Sequence, residues 1–211
     1  SYTNLELVVV DDASTDDTAA VGESVTDERV CWTRSDECLG EGGARNVGLD
    51  LARGDVVCFL DDDNTFDREW LRSLVWLFEN QPETSIAYGA RLVDDHQRHH
   101  EQLAGGLPSI ELNDWDEDVI SERCIVDIKV LAHRRSAVRF RSDLPLFSDW
   151  AYLLELSASS RPVRLPVIAT RYTTDLPDRA TFVRRQEHDE LLERVRAHAS
   201  STHGAARRPS R

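Results

Sequence analysis

Two stretches decide the fold: Leu5-Glu6-Leu7-Val8-Val9-Val10-Asp11-Asp12 and Val56-Val57-Cys58-Phe59-Leu60-Asp61-Asp62-Asp63. Each is an apolar, largely β-branched run that stops on acids. Such runs fit a pleated, buried surface and read as core strands. Open α/β sheets bind ligands outside the carboxyl ends of their strands. Both acid clusters are therefore expected to face one crevice. Carboxylates crowded there repel one another unless something positive sits between them, and hard oxygen donors suit a divalent cation such as Mg2+ or Mn2+.

Working outward, strands and helices alternate. Ser14 or Thr15 can cap a helix over 16–26, with acids in its first turn to suit the helix dipole. Residues 30–33 read as a short strand. A loop with Gly40, Gly42 and Gly43 opens a helix over 43–52. Asp67 is placed to cap a helix over 68–80, where Trp70, Leu71, Leu74, Val75, Leu77 and Phe78 recur at helical spacing. A strand follows over 85–93. Residues 94–122 are polar and acidic and read as a long loop or insertion, a length often tied to function. A strand over 124–132, a helix over 149–159 and a strand over 162–172 come next. After a loop over 173–180, a charged helix is expected over 181–199 and a disordered tail from 200. This alternation implies an α/β fold with a mainly parallel sheet flanked by helices.

The chain has 211 residues and a net charge of −14, a balance that argues against nucleic-acid partners and anionic lipid. An anionic substrate would need a cation beside it. No apolar run approaches the ~20 residues that span a bilayer. Ser1-Tyr2-Thr3-Asn4 has neither the basic nor the apolar segment of a leader. Cys31, Cys38, Cys58 and Cys124 include no CxxC pair, so a reduced, cytoplasmic chain is expected. Basic charge is almost all arginine, with Lys129 the only lysine.

Three blocks carry a family resemblance: residues 2–16 around Val10-Asp11-Asp12-Ala13-Ser14, then Gly43-Ala44-Arg45-Asn46-Val47-Gly48-Leu49 with Ala52-Arg53-Gly54-Asp55, then Phe59-Leu60-Asp61-Asp62-Asp63. A lone DxD is a weak signal, but in this order and spacing the chain resembles the family 2 glycosyltransferases. The likeness is clear over about 1–95. It is fainter over 124–180, where Phe147-Ser148-Asp149-Trp150 is similar to the segment that supplies the family's base. The resemblance implies a GT-A-like (Rossmann-like) fold and inverting transfer of a sugar from a nucleotide-diphospho-sugar to an acceptor hydroxyl, assisted by Mg2+ or Mn2+. It implies nucleotide-sugar contacts at Asp11, Asp12, Arg45, Asp61 and Asp62, metal contacts at Asp63 and Asp61, and a base at Asp149. It divides the chain into a donor part over 1–95, an acceptor and catalytic part over 96–180, and a terminal helix and tail over 181–211. There are two departures. Family members begin with a further strand and helix, so relative to them the chain reads as N-terminally truncated. The stretch 171–179 also lacks the late histidine that many members carry near the metal, leaving Tyr172 and Arg179 as groups that can face a diphosphate.

Each assignment has a plainer rival. Asp149 can be a helix cap, Arg45 a surface residue, and Asp11-Asp12 a simple turn. Arg134 and Arg135 read as solvated charge, or as groups near the acceptor or diphosphate. Trp32, Trp70 and Trp76 read as core, and Trp115 as a possible sugar-stacking ring. His96, His99 and His100 read as a solvated loop. At the level of the whole chain, the alternative to an enzyme is a catalytically inactive nucleotide-sugar-binding or scaffold domain. A nucleotidyltransferase would want a Gly-rich phosphate loop after its first strand, which this chain does not show.

Overall fold

Strand β1 (Leu7–Asp11) runs parallel to β2 (Val30–Arg34), and helix α1 (Thr18–Ser24) lies between them in sequence. The computed structural model describes residues 2–94, 109–173 and 188–206. After β2 come helix α2 (Gly40–Leu51), strands β3 (Val56–Cys58) and β4 (Thr65–Phe66), helix α3 (Trp70–Asn80) and strand β5 (Ile86–Asp94). Strand β6 (Ser109–Glu111), helix α4 (Glu117–Glu122), a 3-10 turn (Ile128–Val130) and strand β7 (Leu131–Arg134) follow. Helix α5 (Ser148–Ser157), strand β8 (Val163–Thr173) and helix α6 (His188–Ala206) complete the described chain.

The α/β class stands, but the sheet is not mainly parallel. One sheet has the order β3-β7-β5-β8-β4, with β6 on β5; a second holds only β1 and β2. Among these pairings β1–β2 and β5–β8 are parallel, and β3–β7, β5–β7, β4–β8 and β5–β6 are antiparallel. The cause is the path into β7. Lys129 passes beside Asp61, just beyond the carboxyl end of β3. Strand β7 therefore starts at that end and must run back against β3. A pattern of alternating elements reports crossovers and not the end from which the chain re-enters. No backbone pairing joins β1 to β3 among the described residues. They meet through Glu6, whose carboxylate accepts from the backbone N–H of Arg53 (2.5 Å) and Gly54 (2.8 Å).

The core lies between the larger sheet and helices α3 and α5. Trp70, Leu74, Leu77 and Phe78 share one face of α3 and are buried; Trp70 is wholly enclosed. Its ring sits over Gly89, where an added Cβ would stand 2.9 Å from both the indole and the Val167 carbonyl oxygen. Only glycine lets the ring and β8 approach this closely. Burying such a ring contributes on the order of 2–3 kcal/mol. Trp76 falls on the opposite face of α3 and is 59% exposed, so it is not core. Trp115 is buried at 6.5 Å from the Tyr88 ring, which leaves no open face for a sugar.

Further differences follow from long-range contacts. Arg134 donates to the carbonyls of Phe78 (2.8 Å) and Thr84 (2.9 Å), closing the end of α3. Arg135 donates to Ala52 (2.6 Å) and Gly54 (3.3 Å) beyond α2. Both arginines thus satisfy helix-end carbonyls rather than sitting as free solvated charge. The stretch expected as a loop includes β6 and α4. Helix α6 continues to Ala206, past the expected stop at 199, with Leu191, Val195 and Ala199 buried. His96, His99, His100 and Arg179 lie outside the described residues.

His133 is buried with Tyr152 among the Phe59 and Phe140 rings. Its Nδ1 lies 2.7 Å from the Arg134 carbonyl, which can only accept, so Nδ1 carries the proton and Nε2 accepts from the Tyr152 hydroxyl at 2.9 Å. Burial lowers the His133 pKa. A lowered pKa means that the unfolded chain takes up the proton first. The stabilisation is present above the unfolded value of about 6.5 and is lost as pH falls below it. The urea midpoint is therefore predicted to drop from pH 7.5 to pH 5.5, and His133→Asn to flatten that drop; equal drops in both proteins would contradict the assignment.

Candidate active site

Asp11 ends β1 and is buried. The chain turns at Ala13, which takes a left-handed φ of 61°. That turn brings the Ser14 N–H to Asp11 Oδ1 at 2.9 Å, while Arg34 Nη1 donates to Oδ2 at 3.0 Å. The hydrogen bonds from Ser14, aided by the Arg34 charge, lower the Asp11 pKa and keep it ionised. Asp12 reaches across to the start of α2. It accepts from Leu39 N (2.7 Å) and Gly40 N (2.8 Å), with Cys38 Sγ at 3.3 Å. Leu39 stands at the cap position of α2 and has no side-chain group for this task. A carboxylate from just past β1 thus serves the free N–H groups and the positive helix end. The helix begins at Gly40 rather than 43, and Gly40 has φ 73°.

One turn along α2, Arg45 points inward with its side chain only 14% exposed, so it is not a surface residue. Its Nη2 donates to Asp61 Oδ1 at 2.9 Å. The other Asp61 oxygen is 3.1 Å from Lys129 Nζ. Burial works against ionisation of Asp61, but Lys129 and Arg45 outweigh it and hold its pKa low. Asp61 opens a turn closed by Asn64 N to Asp61 O at 3.1 Å. Asp62 is exposed within it, and Asp63 contacts the Asn64 amide. Asn64 is buried and its Oδ1 has no hydrogen-bond partner.

Among the described residues no group of three or more His, Cys, Asp or Glu side chains forms a ready cation site. Mg2+ needs only one or two protein carboxylates when phosphates and water complete its shell. The turn offers hard oxygens from three acids and, beside them, the unpaired amide oxygen of Asn64. Both Asp61 oxygens are paired, with Arg45 and Lys129, and Asp63 meets the Asn64 amide, so a cation at this turn would have to displace one of those partners.

Asp149 lies in the first turn of α5. Phe147, at φ 62°, occupies the cap position, so Asp149 is not the cap. Its Oδ1 accepts from Trp150 N at 2.8 Å. Two opposing influences meet here. Burial and the neighbouring Asp127 raise its pKa, whereas Arg45, the Trp150 N–H and Lys129 lower it; the raising influences win. Asn46 joins the two halves of the site. Its amide donates to Phe140 O (2.9 Å) and accepts from Phe140 N (2.7 Å). The Phe140 ring supports Arg45 at 5.5 Å and stacks on Tyr152 of α5 at 4.0 Å. Arg45, Asp61 and Asp149 are thereby brought into one region, with Asp12 bracing the start of α2, while Asp11 pairs with Ser14 and Arg34 instead. Lys129, Asp127 and Asn46 were not singled out from sequence; the one signal for Lys129 is that it is the sole lysine.

Residues 1–128 match the family described as glycosyl transferase family 2. The UDP-Glc:alpha-D-GlcNAc-diphosphoundecaprenol beta-1,3-glucosyltransferase WfaP of Escherichia coli is 39% identical over 64 residues, 30% of this chain and 26% of that protein. A glucosyl-dolichyl phosphate glucuronosyltransferase of Haloferax volcanii is 35% identical over 96 residues, 45% of this chain and 30% of that one. The chain spans about a quarter to a third of the length of these two proteins and of three other curated relatives that it matches. Among solved structures, S. aureus TarS 1-349 in complex with UDP-GlcNAc aligns with a TM-score of 0.69 at 17% identity, over 95% of this chain and 62% of that one. The mannosyltransferase PcManGT from Pyrobaculum calidifontis, in complex with GDP-Man and Mn2+, gives 0.54 at 19%, over 98% and 67%. At these identities the structures speak to the fold, which they share with this chain.

The pKa of Asp149, followed by carboxyl 13C NMR, is predicted to lie above the ordinary aspartate value of about 3.9. A value at or below it would show that the helix end and the cations dominate.

Proposed function

The chain belongs to glycosyl transferase family 2, and from that premise we propose that it moves a sugar from a nucleotide-diphospho-sugar to an acceptor hydroxyl with inversion. The observation that supports this best is the placing of an aspartate with raised proton affinity, Asp149, in the same region as the Arg45–Asp61 pair. Residues 1–95 form the donor part and 96–180 the acceptor and catalytic part. Asp11, Asp12, Arg45, Asp61 and Asp62 hold the nucleotide and sugar. Asp63 and Asp61 would hold a divalent cation, whose chemistry when bound is to offset the charge that gathers on the diphosphate.

Asp149 takes the proton of the acceptor hydroxyl. The acceptor oxygen forms its bond to the anomeric carbon on the face opposite the diphosphate. The anomeric C–O bond breaks and its electron pair leaves with the nucleoside diphosphate. A positioned base contributes about 10²–10⁴-fold to such a step, most effectively when its pKa is drawn toward the working pH. Because the base must be ionised, turnover falls as pH drops through the raised Asp149 pKa.

A second reading, a nucleotide-sugar-binding domain without turnover, is favoured by one observation: among the described residues β1 and β3 lie in separate sheets with no backbone pairing between them. Release of free nucleoside diphosphate from UDP-glucose, UDP-GlcNAc and GDP-mannose in Mn2+ separates the two. The enzyme reading predicts release that Asp63→Ala abolishes and Asp149→Asn reduces by about 10²-fold or more, with circular dichroism unchanged. Unaltered rates in both variants would remove these assignments.

A further inference from the structure

Lys129 stands between the two halves of the site, on the 3-10 turn before β7. Its Nζ is 3.1 Å from Asp61 Oδ2 and 3.0 Å from Asp127 Oδ1, and 5.0 Å from the centre of the Tyr172 ring. Only 12% of the side chain is exposed. Asp127 is itself fixed: it accepts from the Lys129 N–H at 3.0 Å and pairs with Arg91 at 3.1 Å. Asp61 meets Arg45 on its other oxygen. Burial alone would drive the ammonium to give up its proton, yet Asp127 and Asp61 hold its pKa above the usual lysine range. A compact ammonium brings a full positive charge and three donors to acceptors on different elements, whereas an amide brings two in-plane donors and no charge, and a hydroxyl a single donor.

We propose that Lys129 is a positioning residue of the donor site, clamping Asp61 from the side opposite Arg45 and tying the acid turn to Asp127. The role rests on the glycosyltransferase reading, since Asp61 acts there on the donor. Lys129 acts through Asp61 and does not itself touch the sugar.

Because Lys129 is the only lysine, one ammonium resonance in protein grown on ε-15N-lysine reports the clamp directly. The ammonium is expected to exchange slowly with water in the wild type and to lose that protection in Asp61→Asn. Exchange as fast as free lysine in the wild type would overturn the clamp, whether or not the chain turns over any donor. If the NMR shows the clamp and no donor is turned over, the enzyme reading fails and the clamp stands. In the active protein, Lys129→Gln is expected to raise the donor KM about tenfold or more, with kcat changed by less than about threefold. Lys129→Arg, which keeps the charge, is expected to recover the wild-type KM to within about threefold. A wild-type KM in Lys129→Gln, or no recovery in a Lys129→Arg protein of wild-type thermal midpoint, would overturn the proposal.

Discussion

Asp61 carries a negative charge into a partly buried turn, and two cations make that placement tolerable. Removing a carboxylate from water costs several kcal/mol unless its oxygens are paired. Here each oxygen has its own partner, Arg45 from α2 and Lys129 from the turn before β7. The pairing extends in both directions, to Glu41 beyond Arg45 and to Asp127, Arg91 and Glu111 beyond Lys129. Five separate elements thus meet through alternating charges, in addition to the apolar core that β5 shares with the 3-10 turn and the backbone pairing of β5 with β6. In a chain with a net charge of −14, two partly buried cations stand here, Arg45 and Lys129.

The same constraint links the acid turn to Asp149. Asp127 both anchors Lys129 and raises the Asp149 pKa. Arg45 pairs with Asp61 and lowers it. The proton affinity of the proposed base is raised first by its burial, and is then adjusted by the groups that hold the donor-side acid in place. Asn46 and Phe140 add the mechanical connection, since one hydrogen-bonded pair fastens α2 to the segment leading into α5. On the other side of α2, Asp12 fixes the helix start. Helix α2 is in effect pinned at its start by β1 and along its length by the base-bearing half.

Much of this was readable in the sequence. The β1 and β3 strands, the acid turn and the apolar face of α3 follow from short-range patterns, but β3 shrinks to Val56–Cys58 and β1, in its own two-stranded sheet, has its apolar residues half-buried or exposed rather than in the core. Asp149 also lies at the start of a helix, as the pattern predicted, in its first turn and not at the cap. What escaped depends on contacts between residues far apart in the chain. The antiparallel direction of β7 is set by where the chain passes Asp61. Arg134 and Arg135 are drawn to helix ends 56 and 83 positions away. Trp76 and Trp115 reversed their expected roles because periodicity shows only that a face exists, not what covers it. Lys129 carried no motif; its meaning lies in two carboxylates, 68 and 2 positions distant.

The account depends on these acids and cations forming a nucleotide-diphosphate site. Titration calorimetry with UDP and with GDP, in Mn2+ and again in EDTA, tests that most directly. Binding of at least one nucleotide that weakens sharply in EDTA is the predicted result. No heat from either nucleotide under either condition, in protein that unfolds cooperatively, would contradict it.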